Sequence, residues 1–367
     1  MKILHTADWQ IGMRAKHVGV GGAQVRAQRI LSAKALATVA RDYGVDAVFV
    51  AGDVFEDNAV DRADVQRVID ACSGFGVPTY VLPGNHDPLT TGSVWEHGSW
   101  SNARNVHVLR TSEPLTIAPG VTLYPCPAHT KMSSADPTAW IANASAEGTR
   151  IGIAHGTVMN AMVAEDCFPI RPDAASAMGL DYLALGHWHS FAPYEGDAAG
   201  ARMAYSGTHE TTKFGERDSG NVVIVDIPGR GGLPQLTRVP TGALRWHQLV
   251  YEIRSTVDIE RAIREIDALA NPSQSLLEVR LCGILHPSQL KCVTEFSDRI
   301  GARFSLFARV DDSELLPSPE GDAWAEALPA GLLREVARAV QAEGTESAAK
   351  ALMLLYRFSL ESGEVAA

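Results

Sequence analysis

Pro78-Thr79-Tyr80-Val81-Leu82-Pro83-Gly84-Asn85-His86-Asp87 passes from a short β-rich run straight into Gly, Asn, His and Asp. That pattern predicts a buried strand which ends in a tight turn and hands polar side chains to the space beyond it. The arrangement recurs on either side. Asp8 and Gln10 follow Lys2–Ala7, Gly52-Asp53 follows Ala47–Val50, His155-Gly156 follows Arg150–Ala154, and Gly186-His187-Trp188-His189 follows Tyr182–Leu185. Ligands of α/β sheets collect beyond the carboxyl ends of strands. Five strands would therefore deliver Asp8, Gln10, Asp53, Asn85, His155, His187 and His189 to one rim.

Between these strands, Gln24–Tyr43 and Arg62–Phe75 carry apolar residues at helical spacing, giving a βαβαβ opening. Further strands are expected at Val106–Leu109, Val121–Tyr124, Met203–Tyr205 and Asn221–Ile227, with Pro228–Pro234 as a hairpin or surface loop. The expected architecture is α/β, a layered sheet sandwich flanked by helices over residues 1–241. After Thr241 a small β-α-β-α-β domain is read over 245–312. A loop at Ser313–Asp322 follows, then helices over Ala323–Ala342 and Glu346–Glu361 in a C-terminal segment 320–367.

Composition narrows the class. The 367 residues are 46% hydrophobic, an ordinary globular balance, and no apolar run approaches the ~18 residues of a membrane span. The first residues lack the charged and apolar regions of a secretory leader. The five cysteines, Cys72, Cys126, Cys167, Cys282 and Cys292, form no C-x-x-C pair. A reducing, cytoplasmic location and no membrane partner are expected. A formal charge of −11 argues against a surface built throughout to attract polyanions, but leaves room for a local basic groove beside a metal.

Carboxylate, amide and imidazole in one cluster suit Mn, Fe, Zn or Mg. A bridging carboxylate, here Asp53, holds two cations ~3.5–4 Å apart, the spacing that clamps attacking and leaving oxygens in phosphoryl transfer. Singly, Asp8, Asp53 and Asn85 read as turn residues and the His187/His189 pair is an even choice between ligation and surface polarity; together they read as a metal site.

The order D-x-[H/Q], G-D, G-N-H-D, H-G, G-H-x-H resembles the calcineurin-like metallophosphoesterases. Ile3-Leu4-His5-Thr6-Ala7-Asp8-Trp9 with Ala51-Gly52-Asp53-Val54-Phe55-Glu56 resembles their DNA-repair nuclease branch, the SbcD and YhaO type. The resemblance implies a four-layer α/β/β/α sandwich with a small α/β capping domain and C-terminal helices. It implies one metal on Asp8, Gln10, Asp53 and His189 and another on Asp53, Asn85, His155 and His187. Two divalent ions are expected, Mn²⁺ first and Mg²⁺ as the alternative. It makes His86 catalytic, with Asp87 orienting its imidazole. It also implies DNA as substrate, an SbcC-like coiled-coil ATPase docked on the C-terminal helices, and a homodimer. No G-x-x-x-x-G-K-[ST] loop stands in this chain, so ATP hydrolysis would belong to the partner. Where most of the family has His, this chain has Gln10, a harder and weaker ligand that would loosen the first metal or favour Mn and Mg.

For nucleic-acid contact the candidates are Arg14, Lys16, Arg26 and Arg29 around a glycine-rich stretch 12–24 read as a mobile loop, and His209, Lys213 and Arg217. A solvated charged face is the alternative for the cations. Trp9 and Trp188 interleave the ligand pairs and could wall the cavity, with core packing the expected role of either. Two other functions stay open: a small-molecule phosphodiesterase or phosphatase on the same fold, and a non-catalytic subunit with a degenerate first metal site.

Overall fold

A computed structural model describes residues 1–141, 147–159, 167–318 and 328–361. The chain divides into two compact units, Met1–Arg245 and Trp246–Ala367.

The first unit starts with β1 (Lys2–Thr6), α1 (Gly22–Tyr43), β2 (Ala47–Ala51), α2 (Arg62–Ser73), β3 (Thr79–Leu82) and β4 (Val106–Val108). It continues with β5 (Leu115–Ala118), β6 (Val121–Cys126), β7 (Thr149–His155), β8 (Thr157–Val158), β9 (Pro169–Ile170), α3 (Ala174–Ala177), β10 (Tyr182–Gly186), β11 (Ala192–Gly196), β12 (Ala201–Tyr205), β13 (Asn221–Asp226) and β14 (Gln235–Pro240). One six-stranded sheet has the order β14-β13-β1-β2-β3-β4, the other β11-β12-β10-β7-β6-β5.

Side-chain alternation explains why the two sheets stack. In β2, Val48 and Val50 face the helices with Leu36, Val65 and Val68. Ala47, Phe49 and Ala51 face the other way, into a second core with Ile151, Ile153, Tyr182 and Ala184 of the opposite sheet. β10 repeats the pattern, with Leu183 and Leu185 packing on its outer side beside Ala174 and Ala175 of α3. Both faces of each central strand are buried, which is why these strands read as near-continuous apolar runs. The expected α/β sandwich is present, its outermost layer thin. The edge strands β5, β11 and β14 are additions to the expected set: each is only partly buried, and none carries a run of buried apolar residues for the sequence to show. The Pro228–Pro234 stretch is the connection between antiparallel β13 and β14.

The 12–24 stretch is not an open loop: it forms a 3₁₀ segment, Lys16–Gly21, and the first turn of α1.

The second unit has β15 (Arg245–Ile253), α4 (Thr256–Asp267), β16 (Ser275–Leu285), α5 (Lys291–Arg303), β17 (Phe307–Pro317), α6 (Leu332–Ala342) and α7 (Glu346–Glu361). Its sheet has the order β15-β16-β17, covered by Ile259, Ile266, Phe296 and Ile300 of α4 and α5. The first half of the expected Ser313–Asp322 loop is corrected: β17 runs to Pro317, held by parallel pairing with β16 as far as Leu285↔Pro317, and residues 319–322 lie outside the described residues. Of the helix expected over Ala323–Ala342, the part up to residue 327 lies outside the described residues; α6 and α7 pack through Ala337, Leu352, Leu355 and Tyr356. No helix among the described residues is long and apolar enough to cross a membrane.

Candidate metal centre

Four donor atoms converge beyond β2, β3, β7 and β10. His155 Nε2 lies 2.9 Å from Asn85 Oδ1 and 3.3 Å from Asp53 Oδ2; His187 Nδ1 lies 3.1 Å from the same Asn85 oxygen. Ligand atoms of Asp53, His155 and His187 all fall within 4.8 Å of one another. His155 Nδ1 sits 2.9 Å from the Ala51 carbonyl and can only donate to it, so Nε2 is the nitrogen available to a cation. Carboxylate, amide oxygen and two imidazoles in this compass fit a divalent metal.

The neighbouring groups are less tightly gathered. Asp8 accepts the His187 backbone N–H on both carboxylate oxygens at 3.1 Å. Gln10 Nε2 donates to Asp53 Oδ2 at 3.2 Å, so Gln10 turns its amide N–H₂ to the carboxylate. His189 Nδ1 is 2.7 Å from Glu216 Oε1 and 3.2 Å from Thr212 Oγ1, leaving Nε2 for ligation. Asp8, Gln10, Asp53 and His189 could hold a second cation, with Asp53 shared.

The backbone is bent to make this rim. Asp8, Gln10, Asp53 and His187 all have positive φ, at 54°, 49°, 50° and 109°, a conformation that costs a non-glycine residue and clusters at functional sites. Asp8 N–H to Gly52 O and Gln10 N–H to Asp53 O, each 3.0 Å, lock the first loop to the second. Two glycines permit the approach: a Cβ at Gly52 would meet His155 Nδ1 at 2.2 Å, and one at Gly84 would meet Asp53 Oδ1 at 2.2 Å. The sequence suggests turn-making as the role of these glycines; Gly52, with φ at 91°, has it in addition to the close packing, whereas Gly84 is demanded by the packing alone.

Burial pushes the Asp8 carboxyl up to about 6. Burial also opposes ionisation of Asp53, yet His155 and His86 outweigh it and hold Asp53 at about 2. Burial would depress His155, but Asp53 and then Asp8 raise it to about 9. For His189, burial is outweighed by the Glu216 hydrogen bond and the Asp8 charge, and the imidazole is raised. Such opposed shifts packed into one cleft mark a site poised for cations.

His86 is held differently from expectation. Its Nδ1 is 2.9 Å from the Glu56 carbonyl, and its Nε2, 4.0 Å from Asp53 Oδ2, belongs to a side chain 43% exposed. Asp87 does not orient it. That carboxylate accepts the N–H groups of Gly84 at 2.7 Å and Phe55 at 2.9 Å, so Asp87 staples the loop that presents Asn85 and His86. Burial and then Asp53 push its carboxyl up to about 7.

Two of the nucleic-acid candidates are corrected. Arg29 is 1% exposed, its guanidinium spent on the carbonyls of Trp9, Asp8 and Glu210. His209 is wholly buried against Trp9, with Nε2 2.8 Å from Arg29 O. Both join the metal loop to the 208–211 loop from within, where no polynucleotide reaches. Arg14, Lys16, Arg26, Lys213 and Arg217 are exposed; Arg26 Nη1 donates to the Arg14 carbonyl at 2.9 Å. Lys213 and Arg217 line a cleft of about 490 Å³ together with His187, Trp188, His189, Phe214 and Glu216. Trp9 is buried, as expected, but Trp188 is 58% exposed, against the core role expected of it. Glu216 and Thr212 carry no mark of the site in the sequence, where Glu216 stands in a charged turn like many on any surface.

Residues 1–191 match the model of the family described as calcineurin-like phosphoesterase. A curated relative, the "Uncharacterized metallophosphoesterase YhaO" of Bacillus subtilis (strain 168), is 27% identical over 157 residues. That stretch makes up 40% of this chain and 37% of the relative, so the match spans little more than a third of it. Among solved structures, TT1561 of Thermus thermophilus aligns with TM-score 0.43 and 11% identity over 65% of this chain and 98% of that one.

Proposed function

The chain belongs to the calcineurin-like phosphoesterase family, and from that premise we propose that its metal-dependent phosphoester hydrolysis acts on the phosphodiester bonds of DNA. Membership makes it a hydrolase that uses divalent metal ions; the DNA substrate and the choice of Mn²⁺, with Mg²⁺ as the alternative, are our reading. When bound, the cations would neutralise the phosphate and acidify an attacking water.

The protein's own groups do the rest. Asp53, Asn85, His155 and His187 would hold one ion, and Asp8, Gln10, Asp53 and His189 the other. Glu56 O fixes the His86 ring through Nδ1, so Nε2 is the atom that reaches the phosphate, where it can donate a hydrogen bond or a proton to the leaving oxygen.

The observation that carries the DNA reading is the cleft where Lys213 and Arg217 stand with His187 and His189. On a chain of net charge −11, two exposed cations placed beside the metal ligands favour a polyanion entering there. On the second unit, Leu332 and Val336 of α6 and Leu354 and Phe358 of α7 are exposed, at i and i+4 on each helix. Those pairs support docking of an SbcC-like coiled-coil ATPase. Cys72 and Cys126, buried and outside any disulfide, agree with a cytoplasmic setting.

End-labelled single- and double-stranded DNA incubated with the protein in Mn²⁺, Mg²⁺ or EDTA tests the reading. Cleavage that needs Mn²⁺ and vanishes in His86→Ala supports it. Hydrolysis of bis(p-nitrophenyl) phosphate that depends on His86, with no cleavage of either DNA, would replace it with a small-molecule phosphodiesterase.

A further inference from the structure

Trp188 occupies an unusual place: a large indole, 58% exposed, on a backbone pinned at both neighbours. The His187 N–H is held by the Asp8 carboxylate. The His189 carbonyl accepts Thr208 N–H at 3.0 Å, and Phe191 N–H reaches Asp218 O at 2.9 Å. The ring is therefore presented to solvent by a fixed loop, at a cost in unburied apolar surface. It shares its cleft with Phe214, Lys213 and Arg217, and the cleft's volume falls within the ~300–1,000 Å³ of small-ligand sites.

Aromatic rings interleaved with cations are the chemistry of single-stranded nucleic-acid binding: bases stack on the rings and phosphates lie on the cations. Among the described residues Lys213 and Arg217 form no ion pair. Glu216, the one carboxylate of the cleft among the described residues, is turned onto His189 and Thr212. An incoming phosphate thus meets two uncommitted cations.

We propose that this cleft is a stacking subsite for one unpaired nucleotide of a DNA strand, with Trp188 as the platform and Lys213 and Arg217 on its phosphate, next to the metal ligands. The inference rests on the DNA reading above and deepens it: a base can lie on Trp188 only when it is free of its partner. Strand ends with unpaired nucleotides are therefore the favoured substrates, and blunt duplex ends the poor ones.

The test uses the full-length protein and three oligonucleotide substrates: a single strand, a duplex with a four-nucleotide overhang, and a blunt duplex. Each carries 2-aminopurine at the terminal base. The wild type should bind the first two with a quenched, stacked 2-aminopurine signal and cleave them at lower KM than the blunt duplex. Trp188→Ala should remove the quench and raise Kd for the overhang about tenfold, with Mn²⁺ binding by calorimetry unchanged; Trp188→Phe should restore most of the signal. DNA cleavage that is indifferent to pairing and to Trp188→Ala overturns the stacking subsite and leaves the DNA reading standing. No cleavage of any DNA, with bis(p-nitrophenyl) phosphate still hydrolysed, overturns both.

Discussion

Glu216 Oε1 lies 2.7 Å from His189 Nδ1, so the carboxylate takes the Nδ1–H and leaves Nε2 as the nitrogen with a lone pair for a cation. Carboxylates in this position fix the tautomer and raise the basicity of a ligating histidine, and their loss typically costs ~10–100-fold in metal affinity. Thr212 holds Glu216 in turn, its backbone N–H 2.8 Å from Oε2. Glu216→Ala should weaken one of the two cation sites by about that factor and leave the other near its wild-type value. Titration calorimetry with Mn²⁺ reads both, and two unchanged affinities would refute the role.

Glu216 also marks where the sequence stops being legible. Asp8, Asp53, Asn85, His155, His187 and His189 can be picked out because each follows a buried strand, and a strand end fixes direction. Glu216 has no strand behind it; it arrives through the long 206–218 connection, whose course is set by contacts such as Thr208 N–H to His189 O. The central strands are readable because both their faces are buried, whereas β5, β11 and β14 lie at edges where half the residues face water. Arg29 fails for another reason. Arginine is rarely buried, and only the tertiary fold shows five oxygen acceptors gathered around the five N–H groups of one guanidinium.

That guanidinium is the pin of the first metal loop. It donates to Trp9 O at 3.0 and 2.5 Å, to Asp8 O at 3.2 Å, to Glu210 O at 2.6 Å and to Thr208 Oγ1 at 3.1 Å. Burial draws its pKa down to about 10, with Glu210 and Glu216 opposing the fall, so it stays charged at neutral pH. Arg29→Ala strands several buried carbonyls and should destabilise the metal-free protein by about 3 kcal/mol or more. Arg29→Lys cannot reproduce the fork and should recover little of the loss. Urea unfolding measures both; a lysine variant as stable as the wild type would contradict the pinning role.

Two buried histidines outside the candidate ligand set should make stability depend on pH. His5 Nε2–H donates to Leu185 O at 3.1 Å while Nδ1 accepts from Tyr182 O–H at 3.0 Å, and burial lowers its pKa to about 3. His209 is lowered to about 3 by burial and then by Arg29. Between the unfolded value of 6.5 and about 3, the unfolded chain binds more protons than the folded one. The contribution of each histidine is therefore full above pH 6.5 and falls with pH by about 1.4 kcal/mol per unit. Asp8 and Asp87, raised to about 6 and about 7, act with the opposite sign over the same window, so the reading is the difference between proteins: from urea midpoints at pH 7.5, 6.0 and 5.0, His209→Gln should gain on the wild type as the pH falls. An equal slope in that variant would remove His209 from the account.

Cation binding should release a proton from His155. In the metal-free protein Asp53 and Asp8 hold this imidazole charged, with a pKa of about 9 against the opposing effect of burial, whereas a ligating Nε2 must be deprotonated. Below pH 9 each cation that takes this site must displace that proton, so apparent affinity should rise about tenfold per pH unit from 6.5 to 8.5. Mn²⁺ titrations in buffers of different ionisation enthalpy should count about one proton released at pH 7.5 from this group. His155→Gln should bind more weakly and flatten the pH dependence, because an amide oxygen carries no titrating proton. A wild-type affinity that does not change across this range would mean that the cation enters without displacing the His155 proton, and the four converging donors would then not be its ligands.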